Sequence, residues 1–341
     1  MFPKDPEFFA RRVTKSTCRI HRNRRCRGMR LSPRDGRRSM KWFKRNLIFA
    51  PRPNVDWMVT HAMTPFADSL ADRCRVYFAG RDRMNRSQIG YFEIDMDDPK
   101  TVLRMSERPV ITLGPLGSFD DSGCSNPWVV EYDGRKYLYY TGWSLGVTVP
   151  FRNHIGLAIS EDGGETYQKV SRVPILDRNE VDPYMVHGAC VLREDSTWKM
   201  WYCSCTKWEM EGTRPKHFYH IKYATSCNGI GWKRNGTICI DYRDPDEHAI
   251  ARPCVIREHG IYKMWYSHRG KSYRIGYAES KDGVDWERRD KEAGIDVSES
   301  GWDSEMICYP HVFQHKGREY MLYNGNGYGK TGIGLAVLTD D

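Results

Sequence analysis

The chain has 341 residues, and its formal net charge of +9 points at first to a nucleic-acid-binding protein. The charge is concentrated at one end, because residues 1–39 contain thirteen Lys or Arg and three Asp or Glu, whereas the other 302 residues contain 40 basic and 41 acidic groups. A nearly neutral body does not favour binding along a phosphate backbone, and no run of about 18 apolar residues is present to span a bilayer.

Residues 1–39 form a basic, acid-poor arm for which we predict disorder. Its stretch "HRNRRCRGMR" is compatible with nucleic-acid binding or with a transit peptide. Sequence upstream of a true start at Met40 is a further interpretation. We therefore divide the chain into an arm, residues 1–39, and a folded domain, residues 40–341.

The eleven cysteines are an odd number, and four of them lie in apolar, strand-like runs: Cys190, Cys203, Cys254 and Cys308. Free cysteine in such runs behaves as a small hydrophobe, which favours a reducing, cytoplasmic location. The "CSC" at 203–205 lacks the spacing of a zinc site. We expect no metal and no cofactor.

Five hairpin-like segments follow one another along the domain. Each has two runs of β-branched and aromatic residues around a short turn, which is typical of a β-hairpin. In chain order they read "PFADSLADRCRVYFAG" from Pro65, "PWVVEYDGRKYLYYTG" from Pro127, "ACVLREDSTWKMWYCS" from Ala189, "PCVIREHGIYKMWYSH" from Pro253 and "PHVFQHKGREYMLYNG" from Pro310.

A second motif follows the hairpins and predicts two more strands in each unit. It reads "IGLAISEDGGETY" from Ile155, "IKYATSCNGIGW" from Ile221 and "IGYAESKDGVDW" from Ile275, which indicates a third strand and a turn. Short apolar runs such as "ICID" (238–241) then predict a fourth strand. Five such units of about 60 residues predict an all-β fold, a five-bladed β-propeller of four-stranded antiparallel blades.

The two ends of the domain are predicted to share the last blade. The fifth copy stops at "IGLAVL" (333–338) without an outer strand, whereas "KWFKRNLIFAPR" (41–52) resembles an outer strand with nothing before it. We expect this N-terminal strand to close the last blade, which leaves no open sheet edge between first and last blades. Packing between blades accounts for most of the aromatic residues, so a functional site is expected where the repeat is broken.

The residue just before the opening Pro differs in every copy, at the start of the innermost strand. With Gly188 aligned on the Pro of the third copy, the residues at this ring position are Thr64, Asn126, His187, Arg252 and Tyr309. Five different polar or amphipathic groups at one repeated position indicate contact with a ligand, and capping of buried backbone is the alternative. Other non-repeating groups expected at the same mouth include Arg81, Asp82, Trp143 and Arg269.

Carboxylates cluster in the loops that lead into the innermost strands. Asp120, Asp246 and Asp303 each lie seven residues before the Pro, and this regularity indicates a structural role in a turn. The less regular carboxylates are the catalytic candidates: Asp56, Asp121, Asp182, Glu247 and Glu305.

The hairpins and the "IGYAES" strands resemble the five-bladed superfamily of arabinanases, levansucrases and invertases, which includes the family 43 and family 32 glycoside hydrolases. The resemblance spans residues 41–338 and is particularly clear to uncharacterised glycosidase-like proteins of polysaccharide biosynthesis clusters, which share "SGWDSEM" (300–306) and "NGNGYGKTG" (324–332). It implies a carbohydrate substrate and catalytic carboxylates at or just before the Pro position. This chain has Thr64, Asn126 and His187 there instead.

Three functions are compatible with these residues. A glycoside hydrolase would use one protonated and one ionised carboxyl; for these roles we select Glu305 as acid and Asp182 as base, with the other three candidates tuning them. The cations of the ring and mouth, such as Arg252, favour instead an anionic sugar and a phosphorylase or transferase. The third function is that of a non-catalytic glycan-binding propeller, which is compatible with the absence of the family's catalytic carboxylates.

Overall fold

Residues 40–339 are the part of the chain that the computed structural model describes, so the predicted arm at residues 1–39 lies outside the described residues. The described part is almost entirely β-structure, as predicted. Besides its strands it contains a 3₁₀ turn, Asp290–Glu292, and a four-residue helix α1, Asn326–Gly329. None of its helices is long and apolar enough to cross a membrane.

Twenty strands make up residues 40–339, most of them rich in the β-branched and aromatic residues that favour extended backbone. In chain order they are β1 (Lys41–Phe49), β2 (Ala62–Ser69), β3 (Cys74–Arg81), β4 (Ser87–Ile94), β5 (Val102–Met105), β6 (Gly123–Tyr132), β7 (Arg135–Leu145), β8 (Phe151–Ser160), β9 (Gln168–Lys169), β10 (Val186–Glu194), β11 (Thr197–Glu211), β12 (Arg214–Ser226), β13 (Ile238–Ile240), β14 (Ala249–Glu258), β15 (Ile261–Arg269), β16 (Tyr273–Ser280), β17 (Trp286–Arg288), β18 (Cys308–His315), β19 (Arg318–Asn324) and β20 (Ile333–Thr339).

Antiparallel pairing joins consecutive strands into repeated units. Unit 1 is β2 to β5, unit 2 is β6 to β9, unit 3 is β10 to β13, and unit 4 is β14 to β17. Unit 5 consists of β18, β19 and β20 with β1 as its outer strand. The predicted hairpins and third strands are therefore present, and the predicted pairing of the N-terminal strand with the last hairpin is confirmed.

Aromatic side chains of the second strands connect neighbouring units. Tyr77 in unit 1 donates a hydrogen bond to the carbonyl of Gly164 in unit 2, at 3.2 Å. Trp201 in unit 3 donates to the carbonyl of Gly283 in unit 4, at 2.7 Å. The accepting glycines have φ of 92° and 81°, a left-handed conformation that glycine adopts without steric cost. The interpretation of the repeated aromatic residues as packing between units is confirmed by these contacts.

The innermost strands meet in a closed order. Strand β2 contacts β6, β6 contacts β10, β10 contacts β14, β14 contacts β18, and β18 returns to β2. Buried Trp, Tyr, Met and Cys side chains fill the space between the units, and the four strand cysteines predicted to be structural, Cys190, Cys203, Cys254 and Cys308, are buried and unpaired. The fold is consistent with a propeller, and it brings the beginnings of the innermost strands together at its centre.

Candidate functional site

A cavity of about 620 Å³ opens where the innermost strands begin. Its walls come from all five units, and among the described residues they include aromatic rings, arginines and histidines but no Asp or Glu. Eight of the nine predicted substrate-binding residues line it: Thr64, Asn126, His187, Arg252, Tyr309, Arg81, Trp143 and Arg269. The ninth, Asp82, does not line the cavity, because its carboxylate accepts hydrogen bonds from the backbone of Met84 and from Arg86 and so stabilises a turn.

A β-bulge with left-handed backbone interrupts each innermost strand at the predicted ring position. The residues concerned are Thr64, Asn126, Gly188, Arg252 and Tyr309, with φ between 52° and 61°. The residue of the third unit is therefore Gly188, and the alignment that placed His187 there is wrong by one position. His187 precedes the bulge and is equivalent to Ser125 in unit 2. Left-handed backbone costs a non-glycine residue on the order of 1 kcal/mol or more, so the surrounding structure must hold it.

Hydrogen bonds between units hold these five bulges. Each bulge N–H donates to a side chain of the preceding unit, and unit 1 receives its acceptor from unit 5. The pairs are Thr64 to Asn324 Oδ1 at 2.7 Å, Asn126 to Thr64 Oγ1 at 3.1 Å, Gly188 to Thr141 Oγ1 at 2.9 Å, Arg252 to Cys203 Sγ at 3.4 Å and Tyr309 to Ser267 Oγ at 2.7 Å. The bulge backbone is thus capped by the neighbouring unit, and Thr64, itself a residue of the ring, is one of the capping side chains.

Arg252 lies at the floor of the cavity with a relative exposure of 1%. Its Nη2 donates to the carbonyl oxygens of Pro65, at 3.0 Å, and Pro127, at 2.9 Å, whereas Nε and Nη1 are buried without a hydrogen-bond partner in the described residues. Burial lowers the pKa of Arg252 to about 10, so the guanidinium remains charged at neutral pH. A buried charge without a counter-ion is costly, and carbonyl dipoles offset only part of that cost.

Two further arginines line the wall of the cavity. The Arg81 side chain donates to Asn85 Oδ1 at 2.7 Å. The Arg269 guanidinium lies 5.6 Å from the ring centre of Tyr273 and 5.7 Å from that of Tyr328, within range of cation–π attraction. Within residues 40–339 no carboxylate forms a salt bridge with Arg81, Arg252 or Arg269.

The histidines of the cavity are neutral at physiological pH. Burial, with the charge of nearby His217, lowers the pKa of His187 to about 3. Burial, with His248 and Arg269, lowers the pKa of His217 to about 4. Burial and then Arg81 and Lys330 lower that of His61 to about 4. The positive potential of the cavity therefore comes from arginine.

The structure does not bring the five predicted catalytic carboxylates into the cavity. Asp56 and Glu305 are exposed side chains outside its lining. Asp121 accepts hydrogen bonds from the N–H of Gly117 and the hydroxyl of Ser122 within one turn. Asp182 and Glu247 are buried in ion pairs of their own. The predicted pairing of Glu305 with Asp182 across a common mouth is not supported by this placement.

Asp182, the predicted catalytic base, lies outside the cavity lining and is held by structural contacts. Its carboxylate accepts hydrogen bonds from Tyr202 at 2.9 Å and Ser204 at 2.6 Å, and it pairs with Lys222 at 3.1 Å and Arg234 at 2.8 Å. Burial would raise the pKa of Asp182, but these hydrogen bonds and the charge of Lys222 outweigh burial and hold it below its ordinary value. A carboxylate so fully satisfied has no lone pair left for a substrate.

Glu247, another of the catalytic candidates, also lies outside the cavity lining and is held by structural contacts. Arg288 contacts both of its oxygens at 2.8 Å, and His268 Nδ1 lies 3.0 Å from Oε1. Burial would raise the pKa of Glu247, but the hydrogen bonds from Arg288 and His268 hold it far below its ordinary value. Asp246 was predicted to be structural because it lies seven residues before the Pro, but it is exposed.

The same arrangement recurs in units 2 to 5. In unit 2, Asp120 accepts from Tyr140 and Lys169, and in unit 5, Asp303 accepts from Tyr323 and Lys44. These predicted structural roles are confirmed. Unit 1 has Phe78 in place of the tyrosine, and the buried Trp57 packs against Phe78 there. A carboxylate, its hydrogen-bond donors and a cation therefore fix the loop that leads into four of the five innermost strands.

Glu247, His268 and Asp290 are close enough in space to suggest a metal site. A guanidinium already occupies the space between them, because Arg288 Nη2 lies 2.8 Å from Glu247 Oε1 and 2.7 Å from Asp290 Oδ2. None of the three lines the cavity. We assign this cluster to the support of unit 4.

Sequence reasoning missed a group of four tyrosines and histidines in the cavity wall. The Tyr219 and Tyr273 hydroxyls are hydrogen-bonded to each other. The His217 ring stacks on Tyr219 with 4.9 Å between ring centres, and Tyr328 packs edge-on against Tyr273 at 5.9 Å. His217 and Tyr219 belong to "HFYH" (217–220), in the hairpin of β11 and β12. These two strands, of 15 and 13 residues, are unusually long, and that length was the available signal in the sequence.

Sequence comparison identifies two similar proteins. No family model matches the chain. Two Mycobacterium tuberculosis proteins, the uncharacterized proteins MT1551 (strain CDC 1551 / Oshkosh) and Rv1502 (strain H37Rv), are each 43% identical to it over 300 residues, which is 88% of this chain and 99% of theirs.

Solved structures share the fold at much lower identity. A glycosyl hydrolase from Bacteroides ovatus has a TM-score of 0.68 at 16% identity, covering 87% of this chain and 94% of that one. A thermostable family-43 glycoside hydrolase has a TM-score of 0.60 at 16% identity, with 85% and 92% covered. The α-L-arabinofuranosidase PaAbf62A from Podospora anserina in complex with cellotriose has a TM-score of 0.63 at 10% identity, with 89% and 98% covered. The fold is therefore that of the propeller-like glycoside hydrolases, as the sequence resemblance implied.

Proposed function

We propose a function for this chain, which belongs to the same protein family as MT1551 and Rv1502 of Mycobacterium tuberculosis: it binds a carbohydrate in the cavity at the centre of a five-bladed β-propeller. The five blades are the five units. Their closed contact order and the hydrogen bonds that connect each bulge to the preceding unit support this architecture. Ligands of such folds bind where the innermost strands converge.

The composition of the cavity wall is the observation that carries the proposal. A volume of about 620 Å³ is within the range of small-molecule sites. Trp143, Tyr309 and Tyr328 are partly exposed, and they provide ring faces on which the apolar face of a sugar can pack. Asn126 and Asn153 provide amide groups that can donate to and accept from sugar hydroxyls.

Binding explains the cavity better than hydrolysis by paired carboxylates does. That mechanism needs two carboxyl groups on either side of one glycosidic bond, about 5 to 10 Å apart. Within residues 40–339, no Asp or Glu lines the cavity, and Asp182 and Glu247 are occupied by Lys222, Arg234 and Arg288. We therefore place binding first.

A cavity-filling substitution tests the proposal directly. Asn153 lines the cavity, and its side chain makes no hydrogen bond to the described residues. We expect Asn153→Trp to weaken binding of the best ligand by at least about tenfold, because an indole occupies space that the sugar needs. The wild type is first applied to an array of neutral and acidic glycans, and calorimetry then measures Kd for the best ligand.

Ser144→Trp is the matched control for this substitution. Ser144 lies in the neighbouring strand, half-buried and outside the cavity lining. Its variant should bind the ligand as the wild type does. A wild type that binds no glycan, or an Asn153→Trp variant with unchanged Kd, contradicts the proposal.

Glycoside hydrolysis is the second candidate, favoured by the similarity of the fold to family-43 glycoside hydrolases. It requires an acid, and Glu305 is an exposed carboxylate without a side-chain partner in the described residues. A hydrolase that uses Glu305 should lose about a hundredfold or more of its turnover on natural glycans in Glu305→Gln, and less on aryl glycosides with good leaving groups.

Our own expectation for Glu305→Gln is that nothing measurable changes. The side chain is exposed and outside the cavity lining, so both the free energy of unfolding, within about 0.5 kcal/mol, and the Kd of the glycan should be retained. Product analysis by chromatography on both proteins decides between the two candidates. Turnover by the wild type that disappears in the variant would establish the hydrolase.

A further inference from the structure

Charge is distributed unevenly in the cavity. Four arginines line it, namely Arg81, Arg86, Arg252 and Arg269, and among the described residues no carboxylate does. Arg86 is paired with Asp82 at 2.8 Å. The remaining three have no salt-bridge partner within residues 40–339, although the domain as a whole contains 41 acidic and 40 basic groups. Three positive charges thus line one cavity without a carboxylate partner in the described residues.

The three arginines differ in what they can offer a ligand. Arg252 is enclosed, so water screens its charge poorly and its field extends into the cavity above it. Arg81 and Arg269 are half-buried and reach the cavity surface. The Arg269 side chain donates no hydrogen bond to the described residues, so all of its N–H groups are available to a ligand.

Tyrosine rings pack around the wall arginine Arg269. Arg269 lies against the ring of Tyr273, and Tyr273 packs against Tyr309 at 5.9 Å between ring centres. Tyr309 and Arg81 both line the cavity. Arg81, Arg252 and Arg269 line the same cavity as Tyr309, so an acidic group bound there is attracted by all three charges.

We infer that the carbohydrate bound in this cavity carries an anionic oxygen group, a carboxylate or a phosphate, that is held by Arg81 and Arg269 and attracted by Arg252. The inference rests on the proposed function, because it names the class of sugar that the same cavity selects. Guanidinium groups donate charge-assisted hydrogen bonds to both kinds of anion. A neutral sugar would leave the three charges uncompensated.

A purely structural role does not account for the three arginines together. Arg252 does connect the carbonyls of Pro65 and Pro127, and a neutral amide would serve that purpose without the cost of a buried charge. Elsewhere in the fold, buried cations such as Lys222 and Arg288 are paired with carboxylates. Arg252, which is buried without a carboxylate partner in the described residues, departs from that pattern.

Arg269→Gln tests the inference with little risk to folding, because the side chain has no hydrogen-bond partner to lose in the described residues. Calorimetry compares sugars in matched pairs: glucuronate with glucose, galacturonate with galactose, and glucose 6-phosphate with glucose. In the wild type at low salt, an acidic sugar should bind at least about tenfold more tightly than its neutral counterpart. Arg269→Gln should remove about tenfold of that affinity and leave neutral sugars unaffected.

Arg193→Gln is the matched control. Arg193 also lies over a tyrosine ring, that of Tyr132 at 4.2 Å, but it is exposed and outside the cavity lining. Its variant should bind every probe as the wild type does. The uronate and phosphate pairs distinguish the two kinds of anion, and raising NaCl tenfold should weaken only the acidic sugars.

Failure of the inference and failure of the proposed function give different results. Equal affinity for acidic and neutral sugars, or an acidic affinity that Arg269→Gln leaves unchanged, overturns the inference while carbohydrate binding stands. If no glycan of any kind binds, the proposed function fails, and inorganic phosphate decides the rest. Thermal protection by phosphate that is lost in Arg269→Gln and kept in Arg193→Gln supports the anion site, and no protection of the wild type overturns it.

Discussion

A chain that begins at Val55 is expected to lose its cooperative unfolding transition, because it lacks β1. Strand β1 supplies the outer strand of unit 5, and its side chains contact three units. Trp42 packs edge-on against Trp265 of unit 4 at 5.9 Å, Lys44 pairs with Asp303 of unit 5 at 2.7 Å, and Phe49 stacks on Phe92 of unit 1 at 4.1 Å.

Deletion of β1 removes three buried side chains, Trp42, Ile48 and Phe49, and one partly buried ion pair, that of Lys44 with Asp303. Removing one large aromatic side chain from a core typically costs about 3 to 5 kcal/mol, and Trp42 and Phe49 are both buried. Loss of both therefore approaches the whole stability of a typical domain, about 5 to 15 kcal/mol. The apolar strand β20 would also become an exposed edge, which favours aggregation.

A chain beginning at Met40 is the control for this truncation. It keeps β1 and omits only the arm at residues 1–39, and we expect its melting temperature to lie within a few degrees of that of the full chain. Circular dichroism and calorimetry measure both. A cooperative transition of the Val55 chain at the same temperature would contradict the closing role of β1.

The repeated strands could be predicted because their causes are local. Alternation of apolar and polar residues, turns with Gly or Asp, and β-branched content all lie within short windows of sequence. Lys222 occupies the position at which the third strand of every other unit has a glycine. Its Nζ pairs with Asp182, and this ion pair accounts for the lysine. The pairing of β1 with β20 could also be predicted. The last repeat lacked an outer strand, and the N-terminus of the domain had one strand without a repeat of its own.

The roles of the carboxylates could not be predicted, because they depend on loop length. Counted from the bulge residue, Asp120, Asp182 and Asp303 each lie six positions upstream, and Glu247 lies five upstream. Aligning Gly188 on a proline shifted the third copy by one residue and hid the equivalence of Asp182. The loop before Arg252 is one residue shorter, which moved the structural role from Asp246 to Glu247. Offsets through loops do not preserve spatial position as strand register does.

Asp182→Ala is expected to lower the free energy of unfolding by about 3 to 5 kcal/mol, because it removes one partner of a buried ion pair. Lys222 and Arg234 would both remain largely buried without their counter-ion, and the hydroxyls of Tyr202 and Ser204 would lose their acceptor. Denaturant titration of the wild type and the variant measures the difference.

Asp246→Ala is the control, since Asp246 is an exposed carboxylate in the loop of the next unit. Its free energy of unfolding should change by no more than about 0.5 kcal/mol. If the two substitutions have the same effect, Asp182 is not the structural residue that its contacts indicate, and its selection as a catalytic base regains support.

The pH dependence of stability separates the ion pair from simple loss of packing at Asp182. The pKa of Asp182 is lowered on folding, so its contribution is complete above the unfolded-state pKa of about 4. That contribution is lost as pH falls through the lower folded-state pKa, because the unfolded chain takes up the proton first. The wild type should therefore lose stability more steeply than Asp182→Ala below about pH 4, and the two curves should run parallel at neutral pH. Parallel curves throughout the acid range would mean that the carboxylate contributes by its volume and not by its charge.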